Sequence, residues 1–236
     1  MLYISKTFSN LQEAQATLSI SGVFIFDIHQ VLFHRKGLQP LVQGIFKVKK
    51  KPRIFKEGML TLFSSKTWKI LHRRYQEGNR ITEAYLNAAK QHAQLHSELL
   101  DYSNNIYTPD HNMHELLKNL KNYGHELYLL SNIGKATLER LQQEHPDYFA
   151  LMNDPQNTIN RNSLETDSFI WKPQKAAYQE SLSIIGKLEN PHHTIFIDDT
   201  CHNIHAAHEL GMNAILFKSA AQCKRDVMNL LGKEDL

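Results

Sequence analysis

The chain alternates between short continuous apolar runs and longer stretches in which apolar residues recur every three or four positions. Four runs stand out. Val23-Phe24-Ile25-Phe26 stops at Asp27, and Leu127-Tyr128-Leu129-Leu130 stops at Ser131-Asn132. Thr194-Ile195-Phe196-Ile197 stops at Asp198-Asp199, and Ala214-Ile215-Leu216-Phe217 completes the series. Runs of this length, rich in β-branched and aromatic residues, predict strands buried on both faces. Between them, apolar residues at helical spacing predict helices over 112–123, 135–144, 173–188 and 203–210, with Gly124, Gly186 and Gly211 near their ends. Ser9-Asn10-Leu11-Gln12 reads as a capping box that opens a short helix to about Thr17. Buried strands separated by helices predict an α/β fold, a parallel sheet with helices on both faces.

One stretch breaks the alternation. From Gly58 onward, Leu60, Phe63, Trp68 and Leu71 form one helical series, and Ile81, Ala84, Tyr85, Ala88 and Leu95 form another. Thr82 or Asn79 suits the cap of the second helix. No strong strand pattern occurs there. The predicted organisation is therefore an α/β core from 1–32 and 111–236, with an all-helical cap, 33–110, inserted after the first core strand.

Length and composition narrow the class. At 236 residues the chain is long enough for a sizeable core, and 42% hydrophobic with 22% charged residues is ordinary for a globular protein. A formal charge of +3 is too mild to indicate nucleic-acid binding, although 14 histidines make it sensitive to mild acidification. Polar and acidic residues interrupt positions 1–20, so they do not read as a signal peptide, and no apolar run is long enough to span a bilayer. Cys201 and Cys223 form neither a disulfide framework nor a metal-ligand pattern, which fits a reducing cytoplasm. The expectation is a cytoplasmic protein without nucleic-acid or membrane partners; its oligomeric state is not readable. Lys47, Lys49, Lys50, Lys51, Arg53 and Lys56 make a basic stretch that reads as a solvated loop, or else as an attractor for a phosphorylated substrate. His92 and His96 could share a helix face but lie in no metal-ligand motif.

The chemistry lies at the strand ends. In an open parallel sheet, ligands sit at the carboxyl ends of the strands. If these strands are neighbours, Asp27, Ser131, Asn132, Asp198 and Asp199 converge, with Lys172 at the start of a helix. Clustered carboxylates repel unless a cation neutralises them, and hard oxygen ligands favour magnesium. A hydroxyl, an amide and an ammonium are suitable donors to phosphate oxygens. A carboxylate at the centre can act as a nucleophile. Metal-assisted attack of a carboxylate on phosphorus follows as the expected reaction.

The order and spacing of these residues resemble the haloacid dehalogenase (HAD) superfamily. Phe24-Ile25-Phe26-Asp27-Ile28-His29-Gln30-Val31-Leu32 looks like its first motif and Leu129-Leu130-Ser131-Asn132 its second. Lys172-Pro173 with downstream Tyr178 resembles the third. Ile195-Phe196-Ile197-Asp198-Asp199-Thr200, with Asn203, Ala206, Ala207, Gly211 and Met212, resembles the fourth. The helical insertion is similar to the cap of the subgroup that includes sugar phosphatases and the phosphatase domain of soluble epoxide hydrolase. The resemblance implies a HAD-like Rossmannoid core and a magnesium-dependent phosphoric monoester hydrolase acting on a small phosphorylated metabolite. By position it implies Asp27 as nucleophile through an aspartyl-phosphate. Asp27, the His29 backbone carbonyl, Asp198 and Asp199 would bind metal, and Ser131, Asn132 and Lys172 would hold the phosphate. His29 departs from the pattern, because the family's phosphatases usually carry a second aspartate there. Histidine can carry out both proton transfers, with an ordinary pKa of about 6.5. It cannot supply the carboxylate's charge. A catalytically weak or inactive HAD-fold module that binds a phosphorylated ligand or protein partner is the alternative.

Overall fold

The structure, a computed structural model, describes residues 1–6, 9–35, 107–133, 135–153 and 170–233. Two compact units divide the chain: Met1–Phe33 with Pro109–Leu236, and His34–Thr108. The helical insertion and the basic stretch at Lys47 to Lys56 lie outside the described residues, as do His92 and His96.

The first unit is built on five strands. These are β1 (Leu2–Tyr3), β2 (Val23–Phe26), β5 (Glu126–Leu129), β6 (Thr194–Asp198) and β7 (Asn213–Leu216), in the spatial order β1-β7-β6-β2-β5. Strands β7, β6, β2 and β5 run parallel, whereas β1 is antiparallel to β7. The described ends of the second unit, with the residues adjoining them, form a two-stranded sheet of β3 (Phe33–Arg35) and β4 (Tyr107–Pro109).

Strand β2 is apolar throughout because it is central and covered on both sides. Successive side chains of a strand point to opposite faces. Val23 and Ile25 therefore share a core with Tyr178 and Leu182 of α5 (Lys175–Ile184) and with Ile204 and Ala207 of α6 (Cys201–Glu209). Phe24 and Phe26 point the other way and stack with ring centroids 6.2 Å apart. On that face α1 (Leu11–Ser21) packs against α7 (Ala220–Leu231), and α2 (His111–Asn122) packs on β5. Strand β5, last in the sheet order, alternates half-buried and buried residues instead. Two short segments, α3 (Lys135–Glu144) and α4 (Pro146–Phe149), follow β5.

Several boundaries differ from the sequence prediction, each for a local reason. The first helix is capped one residue later than expected. Asn10 Oδ1 accepts from the Glu13 N–H at 2.9 Å, and the Glu13 carboxylate accepts from the Ser9 N–H and hydroxyl, both at 2.7 Å. The helix runs past Thr17 to Ser21 because Ala14 and Leu18 keep one face fully buried. The helix of residues 173–188 shortens to Lys175–Ile184, and that of 203–210 starts at Cys201. Strand β1 was not anticipated. It is held through Asn213, whose Oδ1 accepts from the Ser5 N–H at 2.8 Å and whose amide donates to the carbonyls of His192 and Thr194 at 2.7 and 3.2 Å. The closing helix, Ala220–Leu231, also went unread. Ser219 caps it by accepting from the Gln222 N–H, and Gly232 ends it in the left-handed region at φ 65°.

Candidate active site

The sheet register brings the three polar strand ends level. Phe26 pairs with Leu129 on one side and Ile197 on the other. The ladder continues one step further, since the Asp27 N–H donates to Ile197 and the Leu130 N–H donates to Phe26, both at 2.9 Å. Asp27, Leu130 and Asp198 thus stand side by side at the carboxyl edge of the sheet. After Asp27 the chain turns at once. The N–H groups of Leu32 and Phe33 both donate to the Ile28 carbonyl, and the Gln30 N–H donates to Phe33 at 2.8 Å. Gln30 adopts φ 62°, a left-handed conformation that favours glycine. The turn keeps Asp27 and His29 buried, at 6% and 7% exposure.

Lys172 reaches into this edge from a different segment. Its ammonium, 3% exposed as a residue, lies 2.9 Å from Asp27 Oδ1 and donates to Asp198 Oδ2 at 2.6 Å and the Leu130 carbonyl at 2.7 Å. Three partners match the three donors of an ammonium. Burial works to lower the Lys172 pKa, but the charges of Asp198 and Asp27 together outweigh it and hold the group above its ordinary value. Asp198 is fully buried and accepts from the Thr200 N–H at 2.8 Å and from the Asn203 amide at 3.0 Å to each oxygen, besides Lys172. Burial, and then the Asp27 charge, push its carboxyl above the ordinary value, while Lys172 and the Thr200 N–H work the other way. Tyr178 supports the arrangement from beneath by donating to the Asn203 carbonyl at 2.9 Å.

Asp199 is exposed at the rim. Partial burial, then the neighbouring charges of Asp198 and Asp27, push its carboxyl up to about 6. Asp27, Asp198 and Asp199 offer oxygen atoms within 4.8 Å of one another, the only such group of three metal-capable side chains among the described residues. Three carboxylates face one ammonium, leaving a net negative charge and a set of hard oxygen donors. That donor set fits a small divalent cation.

The remaining predicted residues fall around this cluster. Ser131 is 2% exposed and its hydroxyl has no hydrogen-bond partner among the described residues. Asn132 is bound to Lys172: its Oδ1 accepts from the Lys172 N–H and its Nδ2 donates to the Lys172 carbonyl, both at 2.9 Å.

No family model matches the chain. Solved structures do. A HAD family enzyme from Bacteroides thetaiotaomicron superposes with a TM-score of 0.55 at 16% identity, over 84% of this chain and 93% of that one. The wild-type form of the same enzyme, in complex with magnesium and inorganic phosphate, gives 0.53 at 16% identity, over 84% and 94%. The L-2-haloacid dehalogenase from Xanthobacter autotrophicus, with chloropropionic acid covalently bound, gives 0.52 at 14% identity, over 82% and 76%. The chain has the HAD-like fold.

Within this HAD-like core, two contributors to the site were given no role from the sequence, although Asn203 belongs to the stretch that resembles the fourth motif. The Leu130 carbonyl holds the Lys172 ammonium, and a backbone acceptor has no residue-type signature. Asn203 brackets both oxygens of Asp198. Its signal was available: an amide one turn into the helix that follows Asp198-Asp199. Cys201, at the start of that helix, is exposed.

Proposed function

We propose that the protein hydrolyses a small phosphate monoester through an aspartyl-phosphate formed on Asp27, with magnesium as its cofactor. The observation that carries this reading is the cluster of Asp27, Asp198 and Asp199 around one buried ammonium. Displacement of halide from carbon by a carboxylate has little use for a third carboxylate whose charge is already resisted by its neighbours. Phosphoryl transfer does, because negative charge sits on the transferring group throughout. The solved HAD family enzyme with magnesium and phosphate supports the same choice.

Asp27, Asp199 and the His29 backbone carbonyl would hold the ion, with Asp198 beside them anchored to Lys172. Bound there, magnesium supplies charge neutralisation for the carboxylates and the phosphoryl oxygens. Lys172 orients Asp27 through Oδ1, and the ionised carboxylate attacks phosphorus. As the new P–O bond forms, the bond to the leaving oxygen breaks and His29 gives that oxygen its proton. His29 then takes a proton from water, the water oxygen attacks phosphorus, and the P–O bond to Asp27 breaks to release inorganic phosphate. The Ser131 hydroxyl, buried and without a hydrogen-bond partner among the described residues, is a donor suited to a phosphoryl oxygen. Substrate binding without turnover is the second reading, motivated by His29 standing where the family's phosphatases carry a carboxylate.

The two readings separate on an alkyl and an aryl phosphate assayed with magnesium. Under the first, His29→Ala lowers alkyl ester hydrolysis by roughly 10²- to 10⁴-fold, the worth of a placed proton-transfer group, and spares the first step on the aryl ester, whose leaving group needs no proton. Under the second, wild-type turnover is negligible and His29→Asp raises it. An alkyl phosphatase indifferent to His29→Ala has its acid and base elsewhere.

The cofactor is tested without turnover. Magnesium well above its dissociation constant should raise the melting temperature by mass action, and Asp199→Ala should abolish that shift. Persistence of the shift in Asp199→Ala would remove Asp199 from the ligand set.

A further inference from the structure

The segment Leu130-Ser131-Asn132 grips Lys172 at both ends. The Leu130 carbonyl accepts from the ammonium at 2.7 Å, and the Asn132 carboxamide engages the N–H and carbonyl of the same lysine, each at 2.9 Å. A lysine side chain has four rotatable bonds, so fixing only its tip leaves its root free to shift. Fixing both leaves one path between them. The Asn132 carboxamide meets the N–H and the carbonyl of Lys172 together. The grip is itself tied to the nucleophile's strand, since the Leu130 N–H donates to Phe26, the residue before Asp27.

We infer that Asn132 is a positioning residue that sets the Lys172 ammonium against Asp27 through the lysine backbone, and is not a ligand of the substrate's phosphoryl group. The inference rests on the phosphatase reading for its kinetic consequence, but not for its structural one. Division of labour within three residues follows: Leu130 and Asn132 hold the lysine, and Ser131 between them presents its hydroxyl. With Oδ1 and one Nδ2 hydrogen held on the Lys172 backbone, the plane of the amide is set by the lysine.

The test combines kinetics with the ¹⁵Nζ resonance of Lys172, observable when a buried ammonium exchanges its protons slowly. Asn132→Ala should lower kcat by about 10- to 100-fold, the usual cost of removing a group that supports a site residue, while leaving KM and inhibition by inorganic phosphate unchanged. In a Lys172→Met background the same substitution should cost no further activity, because coupled residues are non-additive. The ammonium resonance should broaden or vanish in Asn132→Ala. If Asn132→Ala does not fold, Asn132→Asp, which keeps an acceptor for the Lys172 N–H, takes its place in the same measurements. Weakened phosphate inhibition with the ammonium signal unmoved would overturn the inference. So would the absence of a slowly exchanging Lys172 ammonium in the wild type. A wild type without turnover would sink the phosphatase reading alone, and the resonance would still decide the role of Asn132.

Discussion

Asp27→Asn should lower phosphate ester turnover by roughly four to six orders of magnitude, the range seen when an enzyme loses its nucleophile. The substitution keeps the volume of the side chain and an oxygen for Lys172 at the position now 2.9 Å away. It removes a charge that Asp198 and Asp199 both feel. The fold should therefore survive, and the melting temperature should stay near that of the wild type. A second readout follows from electrostatics. Asp27 is one of the charges that push the Asp199 carboxyl up to about 6, so Asp199 should titrate lower in the variant. Turnover measured beside a carboxylate titration followed by NMR checks both. Retained turnover would end the nucleophile assignment, and an unmoved Asp199 would mean that the carboxylates are not coupled as the geometry requires.

Lys172→Met should cost more stability than any other single change at the site. Methionine fills much of the space of the lysine stem but leaves Asp27 and Asp198 buried together without their cation. Removing one partner of a buried charge pair typically costs about 3–5 kcal/mol. The loss has a sign in pH. Burial already pushes the Asp198 carboxyl above its ordinary value of about 4, and losing the Lys172 charge that opposes this pushes it further. A folded state that binds the proton more tightly is favoured at low pH and loses that advantage as pH rises through the raised pKa. The melting gap between wild type and Lys172→Met should thus narrow from about pH 7 to about pH 5. Adding Asp198→Asn should recover part of the loss at neutral pH. A gap that widens on acidification would contradict the charge-pair account.

The residues differ in how much of this could be read from the sequence. Val23–Phe26 and Thr194–Asp198 were legible because a strand covered on both faces has no polar alternation to confuse it with a surface helix. Strand β1 was not. Its two residues are half-buried, and what places it is an antiparallel ladder with Ala214 and Ile215, more than two hundred residues away. Asp27, Lys172 and Asp198 were legible as a convergent set because each follows or faces a strand end. Their pairing was not: no residue pattern signals that Lys172 touches two carboxylates and a carbonyl at once. Asn132 shows the limit most sharply. Its residue type suits a phosphate and a peptide equally well, and only its distance to Lys172 distinguishes them.

The place of β2 in the sheet bears on how the protein is made. It is translated before either of its ladder partners, Glu126–Leu129 on one side and Thr194–Asp198 on the other. At synthesis rates of about 5–20 residues per second, Val23–Phe26 waits on the order of ten seconds for its later neighbour to be translated. For the first part of that wait a fully apolar run has neither ladder partner, and until Thr194 is reached it has Glu126–Leu129 alone. Loop closure over such separations is slow, and an unpaired apolar strand is a template for wrong pairing. A nascent chain that has not yet reached Thr194 already contains Asp27, Ser131 and Lys172, yet it lacks the strand that brings Asp198 between them.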